Sequence, residues 1–149
     1  MNYELFMGEA LAEARRALPA GERPIAAVAV VDEAMVARSY ERVQGSNDPT
    51  AHAIVLALRE AARKLGRERL ADATIFATLE PCAMCVGALL LSDVEALVFA
   101  APNTVEGAAG TVIQIAQHAS LPRRLKVISG IRRDEADALF ASATVPATR

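Results

Sequence analysis

The two cysteines of this chain, Cys82 and Cys85, stand one helical turn apart in Glu80-Pro81-Cys82-Ala83-Met84-Cys85. So close a pair cannot be the disulfide framework that staples a small secreted fold. The chain therefore has to be held by its apolar core, and 149 residues with 53% hydrophobic content suffice for one such core but not for two domains. A single domain over residues 1–149 is expected. Residues 142–149, with Pro146 and little to bury, are expected to fray.

The apolar periodicity reads as alternating helices and strands. Tyr3, Phe6, Met7, Ala10, Leu11, Ala14 and Leu18 recur at helical spacing, with Glu9, Glu13, Arg15 and Arg16 on the other side and Pro19 and Gly21 as the stop. Ile25 to Val31 is a continuous apolar run suited to a strand buried on both faces, and Asp32-Glu33 turns it into a second strand from Met35 to Tyr40. Gln44 to Pro49 is turn-forming, after which Thr50 is placed to cap a helix that ends at Leu65 before Gly66. Thr74 to Thr78 predicts a strand, Pro81 opens a helix to about Leu91, and Val94 to Ala100 predicts a third buried strand. Pro102 to Pro122 is a long connection with a short helical turn around Ile113 to Gln117, followed by a strand over Leu125 to Ile128 and a helix over Asp134 to Phe140. This order gives an α/β sheet with helices on both faces.

A formal charge of -2 and a pI near 5.7 supply no general attraction for a polyanion. No apolar run approaches the ~18 residues of a membrane span, and Glu4, Glu9 and Glu13 break up any leader-like start. The expectation is a cytoplasmic protein without a membrane partner.

His52, in Pro49-Thr50-Ala51-His52-Ala53, and the two cysteines all fall where helices begin. A helix start offers unpaired N–H groups and a positive dipole end, which favour thiolates, and thiolates bind zinc. Three protein ligands leave a fourth tetrahedral position for water. On these residues alone zinc, thiol redox chemistry and a chance pair all stay open, and a lone His at a helix start is more often a cap or a surface residue. The redox reading lacks a thioredoxin-like context.

Asn47-Asp48-Pro49-Thr50-Ala51-His52-Ala53, Thr78-Leu79-Glu80-Pro81-Cys82-Ala83-Met84-Cys85 and Gly107-Ala108-Ala109-Gly110 together resemble the tRNA-adenosine deaminase and guanine deaminase branch of the cytidine/deoxycytidylate deaminase superfamily, from the first helix to about Phe140. That resemblance implies a three-layer α/β/α fold with a mixed five-stranded sheet, one Zn2+ per chain held by His52, Cys82 and Cys85, and a homodimer to which the apolar segment Ala83 to Leu91 contributes. It also implies hydrolytic deamination, with zinc activating water and a glutamate that is not a ligand moving the protons.

Three positions depart from the resembling family. The proton-carrying Glu is expected two residues after the histidine, where this chain has Ile54. An Asn that reads the base is expected where this chain has Glu41, which is either a solvated strand-end charge or a pocket residue able to stand in as acid–base group. A Gly in the first strand is replaced by Ala26, which narrows the space against a planar ring. Glu41, Ile54 and Ala26 are thus the candidate substrate-contacting positions, and Glu41 is the candidate catalytic one. Glu80 and Asp48 read as positioning acids.

Binding of tRNA is disfavoured. Phosphate contacts need Lys or Arg, yet the loop carries Pro102, Val105 and Glu106, and the basic cluster Arg59, Arg63, Lys64, Arg67 and Arg69 is interrupted by Glu60 and Glu68. The expected function is a diverged zinc-dependent deaminase of a small amino-substituted heterocycle. The alternatives are a non-catalytic zinc-holding subunit and an inactivated variant.

Overall fold

The computed structural model describes residues 1–143. In chain order the elements are helix α1 (Tyr3–Ala17), strands β1 (Ala26–Val31) and β2 (Ala34–Tyr40), the single-turn helix α2 (Val43–Ser46), helix α3 (Ala53–Leu65), strand β3 (Ala73–Leu79), helix α4 (Ala83–Leu91), strands β4 (Ala96–Ala101) and β5 (Lys126–Ser129), and helix α5 (Arg133–Ser142). The five strands form one sheet in the order β2-β1-β3-β4-β5. β1 is antiparallel to both β2 and β3, while β3, β4 and β5 are parallel. The sheet is mixed and five-stranded, as the resemblance implied.

The continuous apolar runs are explained by helices on both faces. Side chains alternate across a strand, so Ala27, Ala29, Ile75, Ala77, Leu97 and Phe99 face one core with Ile54, Leu58, Val86 and Leu89 of α3 and α4. Val28, Val30, Phe76 and Val98 face the other, with Phe6, Met7, Leu11, Ala136 and Leu139 of α1 and α5. The Phe6 ring lies 5.5 Å from that of Phe76.

Several local expectations need correction. Thr50 does not cap α3: its amide and hydroxyl both donate to Asp48 Oδ1, at 2.8 and 2.7 Å, and the helix starts three residues later. Pro81 likewise precedes α4 by two residues, and its carbonyl accepts from the Ala108 amide. No helical turn forms over Ile113 to Gln117, because the Val112 and Ile113 amides donate back to the Gly107 carbonyl and Ala109 bridges to Gln114. Gln44 to Pro49 holds the one turn of α2 as well as a turn. Gly66 does end α3, in the left-handed conformation at φ 66. Of the expected frayed tail, Ser142 belongs to α5, and residues 144–149 lie outside the described residues.

Asp32 and Glu33, both at positive φ (55 and 61), form the two-residue link between β1 and β2. Primed turns match the twist of the strands but place non-glycine residues at a steric cost. Glu33→Gly is therefore expected to stabilise the protein by about 0.5–1 kcal/mol, read as a higher urea midpoint at unchanged slope.

Candidate metal centre

The edge of the sheet that carries the carboxyl ends of β3 and β4 also carries the start of β1 and the end of β2, because β1 runs against β3 and β2 against β1. Ligand sites of open α/β sheets gather at such an edge. Here it brings together Ala26, Glu41, Glu80 to Cys85 and the loop beginning at Pro102, while α3 delivers His52 from above β1 and β2.

His52 and Cys82 are the capping residues of α3 and α4, both with extended backbone, and neither side chain makes a cap hydrogen bond. Positions usually given to Ser, Thr or Asp are thus given to metal-ligating groups. His52 Nδ1 lies 3.6 Å from Cys82 Sγ and 3.5 Å from Cys85 Sγ. The three ligand atoms lie within 4.8 Å of one another, and among the described residues this is the group of His, Cys, Asp or Glu able to hold a metal.

The donor set is self-consistent without an ion as well. The Cys85 hydrogen bond, with that of His52, holds the Cys82 thiol down to about 4, while the neighbouring Cys82 sulfur and burial push Cys85 far up. The bond to Cys82 also raises His52 above its ordinary value. The lowered Cys82 value favours the ligating thiolate, and the two sulfurs and one imidazole suit zinc.

The pocket at this centre is lined by Arg23, Ala26, Glu41, His52, Ile54, Glu80, Cys82, Cys85, Asn103 and Glu106, among others. Glu41 is 2% exposed, which excludes the solvated strand-end reading. Its carboxylate is gripped by the Arg23 guanidinium, with Nε donating to Oε2 at 2.6 Å and Nη2 to Oε1. Ile54 is 4% exposed and packs into the α3 and α4 side of the core while bordering the pocket. Ala26 is buried in the same wall, its amide donating to Thr78 Oγ1 at 3.1 Å.

Glu80 is a positioning residue. Buried beneath the Pro102 loop, it accepts from the amides of Asn103 (3.2 Å), Ala109 (3.0 Å) and Thr111 (3.1 Å) and from the Thr111 hydroxyl. Gly107 passes so near that a Cβ there would sit 2.7 Å from the Glu80 carboxyl carbon. Asp48 is half-buried and occupied with Thr50.

Sequence reasoning missed Arg23, Asn103 and Glu106. Arg23 precedes β1, and counting outward from the Asp32-Glu33 turn sets it opposite Arg42 or, once the bulge is included, Val43, so the strand pattern does not aim it at Glu41. Asn103 and Glu106 lie in a connection without periodicity, so nothing in the pattern aims them.

Residues 1–101 match the model of the cytidine and deoxycytidylate deaminase zinc-binding region. The chain belongs to this family. It is 38% identical to the tRNA-specific adenosine deaminase of Bacillus subtilis, over 93% of this chain and 86% of that one. It is also 38% identical to the enzyme of that name from Aquifex aeolicus, over 85% of this chain and 83% of that one. Among solved structures, one from a study of adenosine-to-inosine editing by tRNA deaminases at the wobble position superposes with TM-score 0.86 at 36% identity, covering 90% of this chain and 97% of that one. A guanine deaminase from Nitrosomonas europaea gives TM-score 0.75 at 29% identity, covering 91% and 81%. The family and the three converging residues together identify the metal as zinc, one ion per chain.

Zinc uptake must displace the Cys85 proton and, near neutrality, part of one from His52. Chelator competition is therefore expected to show zinc affinity rising about tenfold or more per pH unit. Elemental analysis is expected to give one zinc per chain, lost in Cys85→Ala.

Proposed function

We propose that this chain keeps the zinc centre of the family as a binding element and does not run the hydrolysis, acting as a zinc-holding subunit. The observation that carries the reading is Ile54, an aliphatic side chain bordering the metal pocket at the position where the resembling enzymes carry their proton-transferring Glu. His52, Cys82 and Cys85 would hold the zinc, which would supply activation of water for attack. Expelling an amine also needs a group that moves protons to the ring and to the leaving nitrogen, a contribution worth about 10²–10⁴ in rate. Ile54 moves none. Both Glu41 oxygens are engaged by Arg23, and Glu80 is spent on the loop.

A second reading, a diverged deaminase of a small amino-substituted heterocycle, is favoured by one observation: Glu41 and Glu106 both line the pocket that contains the metal cluster. Either acid would then carry the proton.

The partner assignments rest on surfaces. Exposed apolar side chains on α4 and the adjoining loop, Met84, Leu91, Val105, Val112 and Ile113, support a homodimer through that face. Against tRNA, Lys64, Arg67 and Arg69 of the basic cluster pair with Glu60, Asp72 and Asp93. A cytoplasmic location goes with this reading; no helix among the described residues is long and apolar enough to cross a membrane.

The zinc-loaded wild-type chain is expected to release no ammonia from a panel of aminopurines, aminopyrimidines and aminotriazines. Release that disappears in Glu41→Gln or Glu106→Gln would establish the second reading instead.

A further inference from the structure

The inner pocket at the metal cluster leaves less room than a ring needs. The inner pocket, which Ala26, Ile54, Ala77 and Leu79 help to line, offers about 40 Å³. That is room for about three waters, whereas an apolar cavity that takes up benzene measures about 150 Å³. A fused two-ring base is larger still. The wider cleft outside, about 500 Å³, shares His52, Cys82 and Glu106 with the inner pocket, but its other walls are Pro49, Met84, Val105, Val112 and Ile113.

Two long side chains face one another across the inner end. Arg23 stands three residues before β1 and Glu41 directly after β2, and their side chains are 11% and 3% exposed. The Glu41 amide donates to the Ile25 carbonyl at 2.9 Å, and the Ile25 amide to the Arg23 carbonyl at 2.7 Å, so the backbone under both is fixed. Planar guanidinium and carboxylate meet in two parallel hydrogen bonds, the strongest geometry open to the two groups. Removing one partner strands a buried charge, so the two stay or leave together.

We propose that the Arg23–Glu41 ion pair is a specificity determinant that shuts the inner pocket to nucleobase-sized rings and leaves it to ligands of a few atoms. The inference rests on the metal cluster being the ligand site, as under the proposed function, but not on the chain being inactive. It is also independent of position 54, since a glutamate placed there leaves the two strand ends as they are.

The test uses the full chain loaded with cobalt(II), whose visible absorption responds when a ligand enters the open vertex. Azide, three atoms long, is expected to change the wild-type spectrum, and 2,6-diaminopurine to leave it unchanged. In the Arg23→Ala/Glu41→Ala double variant the purine is expected to change it as well, with Kd more than about tenfold tighter than any wild-type response. Arg23→Met/Glu41→Leu, which refills the space with apolar atoms, is expected to fold and to keep the purine out. A purine response in the wild type matching that to azide overturns the proposal, whether or not the alanine variant folds. So does a folded, metal-loaded alanine variant that still ignores the purine. Ammonia release from an amidine of a few atoms, such as formamidine, by a wild type that ignores rings would overturn the non-catalytic reading alone, whereas ammonia release from a one-ring base would overturn both.

Discussion

Two helix starts converging on one point are the constraint on which the rest of this structure depends. α3 and α4 give up the side-chain caps that would normally satisfy their first amides, and His52 and Cys82 occupy those positions with groups suited to a soft metal. The positive ends of both helices then face a site with sulfur charge, which offsets part of what the missing caps cost. The sheet makes this possible: its parallel half sends α4 out of β3 at the carboxyl edge, and its antiparallel half brings β1 and β2 to the same edge.

Metal binding and proton transfer are separable in such an arrangement, because different residues carry them. The ligands are fixed by helix starts, while the chemistry of the pocket wall depends on side chains that the fold does not need. Ile54 illustrates the separation. It buries well in the core formed with Ala57, Leu58 and Val86 while bordering the pocket, so a wall position can serve packing without supplying a group that carries protons.

The layers of the fold were legible because both core faces are written into the strands: Ala27, Ala29 and Ile75 on one side, Val28, Val30 and Phe76 on the other. The metal residues were legible because their spacing coincides with helix starts. The inner pocket was not. Whether Glu41 meets water or a partner depends on the register of a hairpin, which slips by one at the bulge between Ala29 and Val30. The loop beyond Pro102 was equally opaque, since its path is set by one buried carboxylate rather than by periodic apolar residues. Thr50 misled for a related reason: a hydroxyl near a helix start has more than one local acceptor, and Asp48 is nearer than the helix.

That buried carboxylate, Glu80, ties the roof of the centre to its floor. It belongs to the same short segment as Cys82, and it holds the loop at Asn103, Ala109 and Thr111 at once. Lifting the roof like a hinged flap would strand a charge without its donors, a cost paid in full before anything could enter. The centre therefore behaves as a vault with a fixed ceiling, where traffic must pass sideways along the apolar threshold of Met84, Val105 and Ile113.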